Sequence, residues 1–361
     1  MVNNIVSNND KLILLVTGAG APGIRGTLHA LRNNPDGRPV RIVGVDTQAK
    51  VVGALLADKF YRVPPPENPE YIESLLEICR QEDVAAVLPQ TTREIAKLAV
   101  SRTELEQAGV RVMVSDPSAI AAANDKGAVV EVFRRLNLPA PVCRRATNEA
   151  ELIAAVHELG YPGVPAVVKP PVSNGMRGVR ILREEAWDVS RFLTEKPDGL
   201  EISLDELIAI LRRGPWPELL VMEYLPGCEY SVDAFVGSQL SVAVPRARES
   251  IRSGITFLSR TELRADMAEY TLAAARELGL RYVFGFQFKL ACDGTPKVLE
   301  CNPRIQGTMV ASVFSGANVI WFGVRELLDN PVSSLPQPLH ASEFIRYWGG
   351  VGVDGGDLFA I

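Results

Sequence analysis

Short apolar runs alternate with segments of helical periodicity over residues 11–115. The apolar runs have the length of strands and are predicted at Leu12–Thr17, Arg41–Asp46, Phe60–Val63, Val84–Leu88 and Arg111–Val114. Helices such as Tyr71–Gln81 lie between them. This alternation is typical of a parallel, doubly wound α/β sheet, so a Rossmann-like domain is expected at residues 1–115.

The pattern changes at Asp116-Pro-Ser118, which opens a helix, and a second helix runs from Asn124-Asp-Lys126 to about Leu136. Residues 139–183 then read as a small α/β unit, with a helix at Glu149–Leu159 and strands at Pro165–Lys169 and Val179–Leu182. We expect residues 116–218 to contain the linking helices and a lid.

Strands dominate the predicted third domain, residues 219–361. They are interrupted by a helix at Asp266–Leu278, and a last strand is predicted at Ala341–Trp348. The least polar long run, Thr308–Val324, contains several polar residues and is shorter than the roughly 20 apolar residues of a membrane-spanning helix. We predict that it is buried.

Composition narrows the function classes. The 361 residues carry a formal charge of −5, which argues against a dedicated nucleic-acid or membrane-surface binder. The five cysteines form no C-x-x-C pair, and no secretory signal is visible at the N-terminus, so a reducing cytoplasm is expected. With only three histidines and no G-x-S-x-G motif, hydrolysis by a histidine-assisted nucleophile has little support.

A glycine loop, Gly18-Ala-Gly-Ala-Pro-Gly23, follows the first predicted strand and precedes Asp46 at the end of the second. This arrangement has the form of a dinucleotide-binding fingerprint, so a nicotinamide-dependent oxidoreductase is one alternative. The other interpretation is that the glycines only allow a tight turn and close packing. We favour the second, because no hydride-transfer site is evident downstream.

Two lysines precede a second glycine-containing loop. Lys126 opens a helix, and Lys169 ends a predicted strand just before Ser173-Asn-Gly-Met-Arg-Gly178. Ammonium groups and the backbone N–H groups of such a loop can bind phosphate oxygens. A surface hairpin is the competing interpretation of this segment.

Residues 285–304 predict a hairpin with a chemically distinctive face. Asp293-Gly294 predicts a two-residue turn, which pairs Gln287 with Glu300 and puts Asn302 on the same face. One carboxylate and two amide oxygens beside Arg304 suit a hard divalent cation and the phosphates that it bridges. The opposite face is predicted to join the core through Phe286, Phe288, Leu290, Leu299 and Cys301.

Two further segments carry candidate binding groups. The segment Leu219–Gly227 is predicted to be an apolar strand that ends in a turn, and Glu229 follows it. The strand end could bind an adenine through backbone groups, with Glu229 on the ribose, but an ordinary core strand with an exposed glutamate is the alternative. Arg246, Arg248 and Arg252 share one strand face by their spacing, which suits carboxylate or phosphate or, alternatively, a charged edge strand.

In this order, the segments resemble the ATP-grasp superfamily, and within it proteins similar to the large subunit of carbamoyl phosphate synthase. The chain has only one grasp unit, so carbamoyl phosphate production is not implied. The resemblance implies a Rossmann-like sheet followed by an ATP-grasp fold, with ATP and Mg²⁺ or Mn²⁺ as cofactors. The site residues that it implies are Lys126 and catalytic Lys169 for the phosphates; Ser173, Asn174, Gly175, Arg177 and Gly178 for the covering loop; Glu223, Tyr224 and Leu225 for adenine; Glu229 for ribose; Gln287, Glu300 and Asn302 for the metal; and Arg304 for the transferred group.

Members of this superfamily typically convert a carboxylate to an acyl phosphate, which an amine then attacks. We therefore expect a carboxylate–amine ligase acting on small molecules, with Arg246, Arg248 and the Gln306-Gly307-Thr308 turn in the acceptor pocket. Many superfamily members have a carboxylate at the position of Gln287, which leaves the number of metals open. The oxidoreductase, a non-catalytic ATP sensor and a homodimeric assembly remain open alternatives.

Overall fold

The computed structural model describes residues 11–173, 175–184, 188–195, 199–347, 349–354 and 357–360. The N-terminal residues 1–10, which were predicted to carry no signal sequence, lie outside the described residues. Trp348, the predicted end of the last strand, also lies outside them.

A parallel five-stranded sheet forms the first part of the chain, in the order β3-β2-β1-β4-β5. The predicted doubly wound α/β sheet is therefore confirmed. Its strands are β1 (Leu12–Val16), β2 (Val40–Asp46), β3 (Lys59–Arg62), β4 (Ala86–Leu88) and β5 (Arg111–Val112). Its helices are α1 (Ile24–Arg32), α2 (Val52–Leu56), α3 (Tyr71–Glu82), α4 (Thr92–Val100) and α5 (Arg102–Gln107).

The second part contains two linking helices and a small mixed sheet. The helices are α6 (Pro117–Asn124) and α7 (Lys126–Arg135). The sheet has the order β6-β10-β7-β8-β9, and its elements are β6 (Cys143–Ala146), α8 (Glu149–Glu158), β7 (Ala166–Lys169), β8 (Arg180–Leu182), α9 (Val189–Thr194), β9 (Glu201–Ile202), α10 (Leu204–Leu211) and β10 (Leu219–Glu223). The predicted boundary before residue 219 lies next to β10, which hydrogen-bonds within this lid sheet. The domain boundaries themselves stay a prediction.

The third part is built on an antiparallel six-stranded sheet in the order β15-β14-β11-β12-β13-β16. Its elements are β11 (Glu229–Val236), β12 (Ser241–Arg252), β13 (Ile255–Thr261), α11 (Ala265–Leu278), β14 (Tyr282–Leu290), β15 (Pro296–Asn302), α12 (Ala311–Phe314), α13 (Val319–Leu327) and β16 (Glu343–Ile345). A separate hairpin of β17 (Val351–Asp354) and β18 (Asp357–Ala360) follows.

The core joins the first and third parts. Helices α1 and α13 pack together, and Leu28 of α1 shares one buried cluster with Trp321 and Phe322 of α13. The segment 308–324 supplies much of this cluster, which confirms that it is buried. Within the described residues, no helix combines the length and apolar composition needed to cross a bilayer. The shared core packs the parallel-sheet part against the antiparallel sheet, through residues of β11, β12 and β14.

Candidate nucleotide and phosphoryl-transfer site

The hairpin β14–β15 brings the predicted metal ligands together. Gln287 pairs with Glu300, and Gly285 pairs with Asn302, so the predicted register is confirmed at the site. Side chains directly opposite each other in such a pair have Cβ atoms about 5 Å apart. Gln287, Glu300 and Asn302 thus present three amide or carboxylate groups on one face.

The tip of this hairpin differs from the prediction. The N–H of Gly294 donates to Ala291 O and the N–H of Ala291 donates to Thr295 O, so the loop has three residues rather than two. A bulge at Leu299 then inserts one extra residue into β15. The extra residue in the loop and the extra residue in the bulge cancel, which is why the pairing predicted from a shorter turn still holds at Gln287.

The bulge also removes Leu299 from the predicted core face. Phe286, Phe288 and Cys301 are buried as expected. Leu299 instead lines the cavity, and its carbonyl oxygen accepts a hydrogen bond from Lys169 Nζ at 3.2 Å. A bulge exposes an unpaired backbone group, and here that group binds a buried lysine.

Glu300 lies at the centre of a polar chain. Its Oε2 is 3.5 Å from Lys126 Nζ, and its Oε1 accepts from Asn302 Nδ2 at 3.3 Å. Arg304 donates through Nη2 to Asn302 Oδ1 at 3.3 Å and through Nε to Thr92 Oγ1 of the parallel-sheet part at 3.0 Å. Burial lowers the pKa of Arg304, a group that stays charged at neutral pH. Lysine, carboxylate, amide and guanidinium therefore line one continuous wall.

The two lysines occupy neighbouring positions. Lys126 is the first residue of α7, and the N-cap residue Asp125 accepts from the N–H of Gly127 at 2.7 Å. Lys126 Nζ donates to Ser173 O at 2.8 Å. Lys169 ends β7 and is buried. Burial is the main reason why the pKa of Lys169 falls to about 8, while Glu300 opposes this shift and Lys126 adds to it. Two cations this close, with only partial neutralisation, suit a polyanion.

The loop after β7 contributes to the lining of the same cavity. Ser173, Gly175 and Arg177 line the cavity, whereas Gly178 packs on Pro170 with φ 76°. Asn174, the remaining predicted loop residue, lies outside the described residues. A side-chain carbon added at Gly254 in the turn after β12 would lie 3.1 Å from Met176 Sδ. The loop therefore extends across the cavity to the antiparallel sheet.

The segment predicted to hold adenine also lines the cavity. The carboxylate of Glu223 accepts from Lys297 Nζ at 2.7 Å and from the N–H of Val142 at 3.0 Å. This side chain is therefore engaged, and it is the backbone of Glu223–Leu225 that can meet a base. The Tyr224 ring lies 5.6 Å from Lys289 Nζ.

The predicted ribose and acceptor residues separate into two environments. Glu229 and Arg248 form an ion pair and both line the cavity. Arg246 is fully buried, and its Nε lies 2.8 Å from Asp233 Oδ2. It is outside the cavity lining, because the ion pair with Asp233 holds it within the sheet.

The shared face predicted for Arg246, Arg248 and Arg252 is wrong for Arg252. The pairing of β12 with β13 shifts between Arg248 and Ile251, so the alternation of side chains is reset. Ile251 faces the cavity, while the guanidinium carbon of Arg252 lies 4.8 Å from the centroid of the Phe257 ring.

The glycine loop of the first part has the strand–loop–helix form of a dinucleotide site, but its donors are already used. The N–H of Gly20 donates to Asp46 Oδ2 at 2.7 Å, and the N–H of Ala19 donates to Val45 O. A dinucleotide would need loop N–H groups for its pyrophosphate and the acidic residue for its ribose. In addition, a Cβ at Gly23 would lie 2.5 Å from Gly307 Cα, so the third glycine permits contact with the antiparallel part. The oxidoreductase alternative is not favoured.

One cavity of about 730 Å³ is lined by both lysines, by the Gln287, Glu300 and Asn302 face, by Arg304 and by the Glu229–Arg248 ion pair. Eight lysine or arginine side chains and three glutamates line it among the described residues, although the chain as a whole is acidic. This volume suits a nucleotide together with a small molecule. The excess of cations suits phosphates and carboxylates.

Some lining residues were not assigned to this site from the sequence, which indicated Ala21–Gly23 only as part of the alternative dinucleotide-binding loop. Gln90–Arg93 follow β4, and Ala21–Gly23 follow β1; these loops lie at the carboxyl ends of the strands where the order of the parallel sheet reverses. Ligands of doubly wound sheets bind at this switch point, so the rule could have indicated both loops. Arg346, from the segment after β16, had no such signal.

An antiparallel sheet and a small lid sheet on either side of paired lysines, after a parallel-sheet part, form the arrangement of an ATP-grasp fold. Family comparisons agree with this class. Residues 215–346 match a family described as an ATP-grasp in the biosynthetic pathway with the Ter operon. Residues 14–124 match the N-terminal domain of PylC-like proteins. The ATP-grasp resemblance predicted from the sequence motifs is therefore confirmed for residues 215–346.

Solved structures with the same fold are distant in sequence. The biotin carboxylase domain of the 2-oxoglutarate carboxylase of Hydrogenobacter thermophilus, solved with MgADP and bicarbonate, superimposes with a TM-score of 0.69 at 16% identity, covering 96% of this chain and 80% of that one. N5-carboxyaminoimidazole synthetase of Staphylococcus aureus, solved with ADP, gives a TM-score of 0.66 at 14% identity, with 91% and 80% coverage. At this identity, the comparisons establish the fold.

Proposed function

We propose that this protein is an ATP-dependent carboxylate–amine ligase. The carrying observation is the single cavity in which Lys126, Lys169 and Arg304 meet the Gln287–Glu300 face. The substrate carboxylate attacks the γ-phosphorus of ATP to give an acyl phosphate and ADP. An amine then attacks the acyl carbon, and phosphate leaves as the amide forms.

Each proposed role follows from the charge and position of a side chain. Lys126 and Lys169 bind the phosphate oxygens, and the loop containing Ser173 and Gly175 covers them. Arg304 stabilises the transferred phosphoryl group, and Thr92 keeps its guanidinium in position. Phosphoryl transfer depends mainly on alignment and charge neutralisation, so no histidine or serine nucleophile is needed.

The residues present fit a hard divalent cation that is also bound by nucleotide phosphates. Glu300 supplies one carboxylate, and Gln287 and Asn302 supply neutral amide oxygens. No cluster of three or more His, Cys, Asp or Glu side chains able to hold a metal occurs in the described part of the chain. Mg²⁺ commonly binds through one or two carboxylates plus substrate phosphates. When bound, it would neutralise charge on the phosphates.

For the nucleotide, we propose that the backbone of Glu223–Leu225 holds adenine and that Glu229 binds the ribose hydroxyl groups. Both lie on the side of the cavity formed by β10 and β11. The Arg248 ion pair orients the Glu229 carboxylate. We also place the reaction in the cytoplasm, which the five free cysteines support. A homodimer stays a prediction.

The test is a phosphate-release screen with Mg-ATP across amino acids and other small carboxylates, with hydroxylamine added to trap any acyl phosphate. A ligase gives carboxylate-dependent release of ADP and a hydroxamate. Glu300→Gln is the matched inactive variant. ATP binding without turnover across the whole panel would instead indicate the sensor, and the ligase would be rejected.

A further inference from the structure

Two buried carboxamides have unused donors at the end of the cavity nearest the parallel sheet. Gln90 and Gln306 are only 4% and 7% exposed, and both line the cavity. Neither Nε2 atom has a hydrogen-bond partner among the residues that the structure describes. An unpaired buried donor costs free energy unless a ligand satisfies it. Both carboxamides therefore have, at the cavity wall, hydrogen-bonding capacity that the described residues do not use.

Gln90 is held in one orientation by the parallel-sheet part. Its Oε1 accepts from Thr27 Oγ1 at 2.9 Å, and its backbone N–H donates to Glu94 Oε1 at 3.1 Å. Because the carbonyl side of the carboxamide is engaged, the amino side is the one left for a ligand. Burial raises the pKa of Glu94, a further sign that this loop is anchored in a dry environment.

Gln306 occupies space that a glycine leaves open. A Cβ at Gly285 would lie 1.9 Å from Gln306 Nε2, so the carboxamide lies directly over the β14 backbone at this position. Gly285 and Gln287 face the same side of β14, two residues apart, which is about 7 Å along the strand. One small molecule can therefore reach both Gln306 and the proposed phosphoryl-transfer face.

Arg346 adds a positive charge to this end of the cavity. Its three donor nitrogens bind the carbonyl oxygens of Thr256, Pro22 and Gly307 at 3.1, 2.7 and 2.8 Å. No carboxylate pairs with it in the described part of the chain. Burial, and then repulsion from Arg246, lower its pKa. An unneutralised guanidinium that is bonded to the backbone of Gly307, the residue after Gln306, favours an anion in this part of the cavity and disfavours an ammonium group.

We propose that Gln90, Gln306 and Arg346 bind a second carboxylate of the substrate whose first carboxylate is phosphorylated. The activated substrate is thus a dicarboxylic acid, which includes dicarboxylic amino acids. One carboxylate lies over Gln287, Glu300 and Asn302, and the other is anchored about two strand residues away. This inference rests on the proposed ligase function for the role of the first carboxylate.

The first measurement is binding without nucleotide, because it does not require catalysis. Succinate, glutarate, aspartate and glutamate are titrated calorimetrically against butyrate and valerate as monocarboxylate controls. At least one dicarboxylate should bind about 10-fold or more tightly than the monocarboxylate of equal length, since a hydrogen bond to a charged group contributes at this scale. Gln306→Met should weaken that binding about 10- to 100-fold.

Matched variants separate the anchor from a general loss of structure. Gln306→Met and Gln306→Glu should both keep the affinity for Mg-ADP. Gln306→Glu should weaken dicarboxylate binding more than Gln306→Met does, because it replaces a donor with an anion. Gln81 is exposed on α3 outside the cavity, so Gln81→Met should change neither the affinity for Mg-ADP nor the affinity for the dicarboxylate. With hydroxylamine trapping, Gln306→Met should raise the KM for the dicarboxylate and leave the KM for ATP unchanged.

Failure of this proposal is distinguishable from failure of the ligase function. Equal hydroxamate yields from dicarboxylates and monocarboxylates would overturn the anchor and leave the ligase standing. Selective binding that is lost in Gln306→Met, without any acyl phosphate, would support the anchor and reject the ligase. Failure of every dicarboxylate in the panel to bind, or unchanged binding in Gln306→Met, would overturn the anchor.

Discussion

The lowered pKa of Lys169 makes the proposed nucleotide site sensitive to pH, which can be measured. Its ammonium group is buried at the end of β7, beside Leu299 O and close to Lys126, and its pKa falls to about 8. Because the pKa is lowered to about 8, roughly nine tenths of the ammonium groups are charged at pH 7, and the charge is lost as the pH rises through 8. We therefore expect the affinity for ADP to fall above pH 8.

The magnitude follows from proton linkage. At pH 9, one unit above the pKa of about 8, roughly one tenth of the free protein carries the Lys169 charge. Bound phosphates favour the charged form, so binding at this pH must include the uptake of a proton. The Kd for ADP should therefore rise about 10-fold between pH 7 and pH 9, which corresponds to about 1.4 kcal/mol.

The assay is calorimetric titration of ADP in EDTA from pH 6.5 to 9.5, so that no metal ion alters the lysine. Lys169→Arg is the matched control, because a guanidinium stays charged over this range and should give a nearly flat profile. Repetition in buffers of different ionisation enthalpy should detect proton uptake in the wild type alone. Parallel profiles for the wild type and Lys169→Arg would refute the reasoning, because another group would then be titrating.

Three further predictions concern the metal face, the contact between parts and the glycine loop. Glu300→Gln should lower the rate of phosphate release at least about 100-fold, whereas Glu73→Gln, at an exposed position, should not change it. Full activity in Glu300→Gln would show that Glu300 is not the anionic metal ligand. Gly23→Ala places a Cβ 2.5 Å from Gly307 Cα and should lower the free energy of unfolding by about 1–3 kcal/mol, measured in urea, while Gly214→Ala, in open space, should not. NADH fluorescence should show no saturable binding, because N–H groups of the Gly18–Gly23 loop are already hydrogen-bonded. Saturable binding would bring back the oxidoreductase alternative.

The site hairpin shows how sequence reasoning reached a correct result by an incomplete route. The Asp293-Gly294 turn signal was sufficient to predict a hairpin and the pairing of Gln287 with Glu300, whereas the binding of a metal by this face stays a prediction. The loop is one residue longer than predicted, and the Leu299 bulge compensates. Local turn preferences do not reveal a bulge whose carbonyl oxygen is bound by Lys169 from another sheet.

The arginines of β12 show the opposite outcome. From their spacing, Arg246 and Arg248 were predicted to lie on the same face of the strand and were both placed in the acceptor pocket. Alternation along a strand determines the face of a side chain but not its ion-pair partner. Asp233 on the neighbouring strand neutralises Arg246 within the sheet, whereas Arg248 pairs with Glu229 at the cavity. Which arginine stays near the ligand depends on cross-strand neighbours that are distant in sequence.

By itself, the sequence determined the alternation that builds the parallel sheet, the core face of Phe286 and Phe288, and the polar face of Gln287 and Glu300. These features follow from residue periodicity and turn chemistry, which act over a few neighbouring residues. Only the tertiary structure placed the Thr92 hydroxyl on Arg304 and the Gln90 carboxamide in the same cavity. The physical reason is that such contacts exist only after the shared core has packed two separate sheets against each other.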